Sequence, residues 1–272
     1  DFFVATWAEA AELLPHLHGA ALSVLHGVRP EDMAFALASG ARPVLNSPEQ
    51  IARWREADGG SCDVMVDTGM NRLGLSTRDV RPDLLAGLRI ETLMSHLACA
   101  DEDHPLNSEQ LRRFRQATAG AEAKTLSLAN SAGILLGEKF AFGLTRPGLA
   151  LYGGIPRGDG AGHIRQVVHP RAQVLQRRFI RPGQSVGYGA TYVAERRREI
   201  AILNVGYADG YLRGFSGTGA ALHEGAHLPV LGRVSMDLLA IDVSTAPEVG
   251  EGDWSSISPR LPRRPASRNM NC

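Results

Sequence analysis

The sequence predicts an α/β fold: a (β/α)8-type barrel that lacks its first strand–helix unit, followed by a truncated all-β domain. Short apolar runs alternate with amphipathic stretches seven times before residue 160, which is typical of a parallel sheet covered by helices. The chain begins abruptly inside this pattern, and an eightfold repeat is the usual closed form. After a Gly-rich link at 156–162, apolar runs are separated by Gly and Pro turns, with no long helix between them.

The expected strands of the first domain are short apolar runs, at 2–5, 22–25, 43–45, 63–66, 92–95, 125–128 and 149–152. Helices are expected at 7–14, 30–39, 48–56 and 108–123. Thr6 and Glu9 form a capping box for the first helix, and Ser47 precedes a proline at the first position of the third. A doubly wound open sheet is the alternative, because strand count alone does not establish closure.

The predicted domains are an α/β barrel at 1–160, a β-rich domain at 161–254, and an atypical tail at 255–272. The β-rich domain has apolar runs at 167–179, 198–205, 228–231 and 238–243. The tail contains four arginines, three prolines and no acidic residue. It is either a disordered native tail or an artefactual end, such as an out-of-frame segment.

Composition excludes several classes of partner. Lys+Arg and Asp+Glu both number 29, so net charge favours neither nucleic acid nor an anionic membrane. Apolar runs stay well short of the ~18 residues that a transmembrane helix needs. The start at Asp1 has no initiator Met or basic region, which indicates the interior of a protein rather than a signal peptide. Cys62, Cys99 and Cys272 are scattered, which disfavours disulfides and a metal site and suits the cytoplasm.

Polar residues cluster where the predicted barrel strands end, which is the face that carries function in this fold. They include Arg72, His96, Ser131 and Arg146. Ser131 with the amides near Gly133, and the amides of 148–149, suit a phosphate group, because exposed N–H groups bind anions.

Each of these residues alone has an ordinary structural explanation. His96 would be a hydrogen-bonded structural histidine, and Arg72 and Arg146 would form surface ion pairs. Asn130 followed by Ser131 would be a helix cap. Their shared position on one predicted face favours a functional site.

The chain resembles the alanine racemases from about Phe2 to Trp254. The resemblance depends on seven motifs in the order of that family: VDTGMNRLG (66–74), SHLACADE (95–102), ANSAG (129–133), RPGLALYGG (146–154), VGYGATY (186–192), NVGYADGY (204–211) and GRVSMD (232–237). One such motif alone would be weak evidence, whereas seven in order are specific.

The resemblance implies a homodimeric isomerase that interconverts L- and D-alanine with pyridoxal 5'-phosphate (PLP), for peptidoglycan supply or alanine breakdown. Its barrel holds PLP, and its active site forms where one subunit's barrel meets the partner's β-domain. A PLP-bound lysine and a tyrosine move protons on opposite faces of the amino acid, and PLP supplies the electron sink. Tyr188 matches that tyrosine. A free tyrosine has a pKa near ~10, so it needs a charged neighbour to act as a base.

The resemblance also implies a cofactor site and a substrate site. Arg146 would face the pyridine nitrogen, and with His96 it would form a network with Tyr188. The phosphate contacts would come from Asn130, Ser131, Gly148 and Leu149. Arg72 would contact both the phenolic oxygen of PLP and the substrate carboxylate. On the substrate side, Met236 would meet the carboxylate through its backbone and Tyr207 would line the entrance.

Departures from the family pattern affect the expected activity. The family's PLP lysine follows a barrel strand that this sequence lacks, and the only lysines are Lys124 and Lys139. The β-domain also turns into the Arg/Pro tail after Trp254. We therefore expect the intact protein to be active and this chain alone to be inactive. The alternatives are a broad-specificity amino-acid racemase, a fold-related PLP decarboxylase, or a non-catalytic PLP-binding remnant.

Overall fold

The computed structural model describes residues 1–258. It divides into two compact units, Asp1–Val167 and a second that begins at Val168, whereas the sequence predicted the division after residue 160. The link packs on the first unit, because Gly153 lies against Gln166 and Val167 with no room for a side chain. Within residues 1–258, none of the helices combines the length and apolar character that crossing a bilayer demands.

The first unit contains a parallel sheet. Its strands are β1 (Phe2–Val4), β2 (Leu22–Val24), β3 (Arg42–Leu45), β4 (Cys62–Asp67), β5 (Leu75–Ser76), β6 (Ile90–Met94), β7 (Thr125–Asn130) and β8 (Leu144–Arg146). They pair in the order β1-β2-β3-β4-β6-β7-β8, with β5 beside β4. A doubly wound sheet reverses its order at a switch point, so this chain-order pairing excludes that alternative. The expected (β/α)8-type barrel lacking one strand–helix unit is confirmed as a parallel half-barrel, with seven strands along its main path.

Helices connect the strands. They are α1 (Trp7–Leu13), α2 (Met33–Ser39), α3 (Pro48–Glu56), α4 (Pro82–Leu85), α5 (Pro105–Thr118) and α6 (Ser131–Leu135). The predicted caps are confirmed: Thr6 and Glu9 form the capping box of α1, and the Ser47 side chain accepts from the Gln50 N–H at the start of α3. Helix α5 both begins and ends earlier than predicted. It ends at Thr118 because Ala119 leaves the helical region and Gly120 adopts φ +81°.

The seventh predicted strand, at 149–152, is wrong. Leu149–Tyr152 forms a 3-10 turn whose side chains are exposed, and Leu151 has 63% of its surface in solvent. Gly153, at φ +85°, ends that turn. The strand lies earlier, at Leu144–Arg146, where Asn130 of β7 pairs with Arg146. The prediction failed because four consecutive apolar residues look like a buried strand in sequence, although Leu149, Leu151 and Tyr152 are exposed here.

Apolar side chains pack in a cluster on each face of the half-barrel sheet. On the outer face, Trp7 and Ala10 of α1 and Ile51 and Trp54 of α3 are buried in one cluster with the strands. Fully burying a side chain of this size contributes roughly 1.5–3 kcal/mol. The inner face has a smaller cluster, made of Phe3, Leu25, Val44, Met65 and Met94. The two clusters hold the strands in register, so that their carboxyl ends lie at one edge.

The second unit is an antiparallel β-structure. Its strands are β9 (Arg171–Ile180), β10 (Ser185–Val186), β11 (Tyr192–Val193), β12 (Arg198–Leu203), β13 (Ala220–His223), β14 (Ala226–Leu231), β15 (Leu239–Asp242) and β16 (Trp254–Ser258). Six of them close a barrel in the order β12-β15-β14-β13-β16-β9, and β10 and β11 form a separate hairpin. The expectation of an all-β domain is confirmed.

The end of this barrel differs from the predicted tail at 255–272. Strand β16 pairs with both β9 and β13, and Ser255 is fully buried. Residues 255–258 therefore complete the barrel, because β9 and β13 would otherwise leave two unpaired edges. The rest of the predicted tail, 259–272, lies outside the described residues.

Candidate active site

The predicted residues of the first unit meet at the carboxyl ends of β4, β6, β7 and β8. A cavity of about 550 Å³ is lined there by His96, Asn130, Ser131, Arg146 and Gly148, among others. A second cavity of about 270 Å³ adjoins it and is lined by Asp67, Arg72 and His96. The volume of the first cavity is in the range of small-molecule sites, roughly 300–1,000 Å³, and that of the second lies just below it. His96 lines both cavities.

The loop after β4 is built around Asp67. Its carboxylate accepts from the backbone N–H groups of Gly69 (2.8 Å), Met70 (2.9 Å) and Arg72 (3.1 Å). Gly74 closes the loop at φ +125°, where a Cβ would lie 2.6 Å from the Asp67 nitrogen. The backbone of Arg72 is therefore fixed while its side chain remains exposed.

Arg146 is held in place by backbone and hydroxyl oxygens. Its guanidinium donates to the Ser127 hydroxyl and to the Ser95 carbonyl. Burial lowers the pKa of Arg146 to about 10, against the opposing effect of the Asp63 carboxylate. Arg146 thus remains a cation at neutral pH, although it has little contact with water.

His96 is neutral in this surrounding. Burial, followed by the positive charges of Arg146 and Arg72, lowers the pKa of His96 to about 4. Its Nε2 lies 3.4 Å from the Asn130 Nδ2. An amide nitrogen only donates, so His96 Nε2 accepts and the ring proton belongs on Nδ1.

The turn after β8 is tied to the start of α6. The Ser131 hydroxyl accepts from the N–H of Gly148 (2.9 Å) and from that of Ala150 (3.2 Å). Asn130 caps α6 by accepting from the Gly133 N–H at 2.8 Å. The structure therefore brings Asn130, Ser131 and Gly148 together, as the sequence predicted, and it adds Ala150.

Sequence reasoning missed a buried polar group beneath these loops. Gln110, Thr68 and Ser95 are almost fully buried and hydrogen-bonded to one another. A signal was present: Gln110 follows the spacing of Leu111 and Phe114 on the buried face of α5. A polar residue on the buried face of a helix is unusual and indicates a specific hydrogen-bond partner.

The remaining predicted residues lie in turns of the second unit. Tyr188, Tyr207 and Met236 have 69%, 36% and 53% of their surfaces exposed. Gly187 and Gly189, which flank Tyr188, lie against Arg233. The N–H of Tyr207 donates to the Ser235 carbonyl at 3.0 Å. The segment at 233–236 therefore contacts the turns of both tyrosines.

Comparison with known proteins matches the two units separately. Residues 1–156 match the family described as "Alanine racemase, N-terminal domain", and residues 167–263 match "Alanine racemase, C-terminal domain". The alanine racemase of Rhodospirillum rubrum is 45% identical over 260 residues, covering 91% of this chain and 70% of that protein. The catabolic alanine racemase of Agrobacterium fabrum is 42% identical, covering 91% of this chain and 67% of that protein.

Solved structures give the same result. The alanine racemase of Bartonella henselae with covalently bound pyridoxal phosphate has a TM-score of 0.83 at 35% identity, covering 94% of this chain and 75% of that one. The biosynthetic alanine racemase of Pseudomonas aeruginosa has a TM-score of 0.82 at 34% identity, with the same coverage of both chains. On both its domains and most of its length, this chain belongs to the alanine racemase family.

Proposed function

We propose that this protein interconverts L- and D-alanine with PLP bound at the carboxyl ends of the half-barrel strands. The observation that carries the proposal is the half-buried cation Arg146 beside neutral His96, with the Ser131 turn lining the same cavity. Ser127 and Ser95 accept from two of the N–H groups of Arg146, and the others can donate to a further acceptor in the cavity. A pyridine nitrogen is such an acceptor.

The residues present fit PLP as a ligand. The Ser131 hydroxyl and the Leu149 N–H offer donors for a phosphate, and Asn130 lies beside them. The Gly148 N–H donates to Ser131 here and would have to turn to the phosphate when it binds. Arg146 would donate to the pyridine nitrogen, and Arg72 to the phenolic oxygen and the substrate carboxylate. Both guanidinium groups are planar forks of hydrogen-bond donors.

PLP, when bound, supplies the electron sink that makes the α-proton of alanine removable. The residues of this chain orient the substrate and move the proton. Arg72 positions the carboxylate, and Arg146 keeps its own protons because a guanidinium does not give them up near neutral pH. The Tyr188 hydroxyl would hold or release the proton at one face of the α-carbon.

We assign Tyr188, Met236 and Tyr207 to the active site of a second copy of the chain in a homodimer. Their exposure supports this: Met236 and both tyrosines project from turns, and large exposed apolar or aromatic groups often mark interaction sites. Light scattering of the purified protein tests it, and a strictly monomeric racemase would contradict it.

Free Cys62 and Cys99 fit a cytoplasmic location.

We further propose that the 272-residue chain alone binds PLP without racemising alanine, because neither lysine is suitably placed. Lys124 precedes β7, at the amino end of that strand, and its ammonium group pairs with Glu91 at 3.0 Å. Lys139 lies over the Phe140 ring, 5.4 Å from its centroid. A lysine must lie near the cofactor to bond to it covalently.

The test compares the purified chain with the product of the gene's full open reading frame, each mixed with PLP. We expect both to bind PLP and only the longer product to racemise alanine, as measured by chiral chromatography of the products. Steady racemisation by the 272-residue chain would contradict the role assigned to a missing lysine. Lack of turnover in both, with PLP retained, would favour a non-catalytic PLP-binding protein, the second function that the lysine placement supports.

A further inference from the structure

The side chain of Gln110 is completely buried below the proposed cofactor site. It lies on α5 and uses its whole amide group. Its Oε1 accepts from the Ala98 N–H at 2.8 Å, and its Nε2 donates to the His96 carbonyl at 2.9 Å and to the Thr68 hydroxyl at 3.1 Å. One side chain therefore bonds to the loops after both β4 and β6.

The orientation of this amide is determined by its partners. A backbone N–H can only donate and a carbonyl can only accept, so the Ala98 N–H selects Oε1 and the His96 carbonyl selects Nε2. Because Nε2 also donates to Thr68, the Thr68 proton is free to point to the Ser95 hydroxyl, 2.8 Å away. The Ser95 carbonyl in turn accepts from Arg146. The chain of hydrogen bonds thus joins α5 to the ends of β4, β6 and β8.

Packing of α5 does not require this amide. Leu111 and Phe114 of the same helix are buried in an apolar cluster, and Asn107 already ties its first turn to the preceding loop. Burying a polar group gains little stability compared with an apolar side chain of similar volume. The amide is better explained by the geometry that it imposes on the loops.

We propose that Gln110 is a positioning residue for the racemase reaction, setting the relative placement of the loops that carry Arg72 and His96. This inference rests on the proposed function, because the two loops matter through the PLP and substrate that they would contact. A buried supporting residue of this kind keeps functional groups in place to within a fraction of an ångström. Misplacement by ~1 Å can cost roughly 100-fold in rate.

The test replaces Gln110 with methionine, which keeps the length of the side chain and removes all three hydrogen bonds. The first measurement is the pKa of His96, obtained from an NMR titration of its imidazole in the 272-residue chain without PLP. We expect the pKa to rise from about 4 toward the ordinary ~6.5, because the released 96–98 segment admits water. The second measurement is the dissociation constant for PLP, which we expect to increase about tenfold. Losses of affinity of about this size follow when residues that support the ligands of a metal site are mutated.

Asn107→Leu is the matched control. Asn107 is a buried amide on the same helix, and it donates to the carbonyls of Cys99 (2.9 Å) and Glu102 (3.0 Å) but not to the His96 or Thr68 segments. We expect this variant to lose stability while His96 and PLP affinity stay unchanged. If both variants leave the His96 pKa alone, or both shift it equally, the inference is overturned.

Thr68→Val keeps the test decisive if the methionine variant does not fold. It breaks the link to Ser95 and leaves the bonds of Gln110 to Ala98 and His96, so a smaller rise of the His96 pKa is expected, and no rise overturns the inference. Failure of the two proposals can be told apart. If the variants shift the His96 pKa but the chain never binds PLP, the proposed function is contradicted and the positioning role of Gln110 stands. If PLP binds but the His96 pKa does not move, the positioning role is contradicted and the proposed function stands.

Discussion

The half-barrel site and the tyrosine turns of the second unit are held in opposite ways. At the strand ends, Arg146 and His96 have internal partners and their pKa values are displaced by burial. In the second unit, Tyr188 projects from a glycine turn with most of its surface exposed. The first region is arranged by the packing of its own unit, while the second presents exposed groups, to which we assigned partners in a second copy of the chain. The difference separates residues that are positioned by folding from residues that folding leaves in solvent.

This contrast has a physical basis in solvation. A charge or a neutral imidazole with a shifted pKa requires that water be excluded and that donors be placed beforehand. An exposed phenol is still hydrated and has no donors placed around it before it meets its partner. Substitutions should therefore perturb folding in the first region and only turnover in the second.

The largest effect is expected from Tyr188→Phe on turnover. In the full product of the gene, loss of the hydroxyl should lower kcat/KM for racemisation by roughly 10²–10⁴-fold, the usual contribution of an acid/base group. The loss should be equal from L-alanine and from D-alanine, because the equilibrium constant between enantiomers is one. Chiral assays started from L-alanine and from D-alanine measure both directions. Equal rates in variant and wild type would remove Tyr188 from this role.

The same variant should leave stability almost unchanged, within ~0.5 kcal/mol, because the side chain is exposed. Tyr211→Phe is the control: Tyr211 is buried, its hydroxyl bonds to the Ala220 backbone, and burial raises its pKa to about 12. That variant should cost about 1 kcal/mol in urea unfolding. Equal losses for the two tyrosines would break the contrast.

Gly74→Ala should show how much backbone geometry the first region requires. Its φ of +125° is unfavourable for a side chain, and the new Cβ would meet the backbone of Asp67 and Val66. We expect a loss of about 2–4 kcal/mol in the free energy of unfolding. Gly137→Ala is matched: its φ is +101° but nothing lies within 4 Å, so strain alone should cost about 1–2 kcal/mol. Similar losses at both positions would mean that crowding at Gly74 is unimportant.

Acid should weaken the first region through His96. Its pKa is about 4 in the folded chain and near ~6.5 when unfolded, so between these values the unfolded chain binds a proton that the folded chain does not. Stability is therefore lost as pH falls from about 6.5 to about 4, by about 1–2 kcal/mol after allowance for partial exposure.

His96→Gln should flatten this slope, since the substituted side chain does not titrate. Urea unfolding at several pH values, compared between the two proteins, isolates His96 from other titrating groups. Asp63 has a pKa raised mainly by burial and acts in the opposite direction, but it is present in both proteins. Parallel curves would show that His96 is charged in the folded chain or exposed to water.

The smallest effect is expected from Ser131→Ala. The change removes the acceptor of the Gly148 and Ala150 N–H groups, which can turn to water, so the cost should be about 1 kcal/mol. Inorganic phosphate and PLP should bind more weakly in the same protein. Ser216→Ala in the second unit removes a similar acceptor, from the Val234 N–H at 3.1 Å, and should cost as much without affecting either ligand. Unchanged phosphate binding in Ser131→Ala would argue against this turn as the phosphate site.

Local patterns predicted much of the fold. The caps at Thr6 and Ser47, the boundaries of α3 and the position of β7 follow from hydrogen bonds and periodicity within a few residues. The seventh strand was misplaced because Leu149–Tyr152 has the composition of a strand but no neighbouring strand to pair with. Pairing is a relation between distant segments, and the apolar run carried no information about it. Residues 255–258 were predicted as part of the tail for the same reason, because their strand pairs with segments that are distant in the sequence.

The sequence by itself determined the family, the order of the motifs and the residue types at the strand ends, because these depend on short segments. The tertiary structure decided which groups share an environment: that Arg146 is buried, that His96 is neutral between two arginines, and that Gln110 reaches two loops 12 and 42 residues away in the chain. Solvation and hydrogen bonding depend on distance in space rather than in sequence. They become definite only when the strands pair and water is excluded.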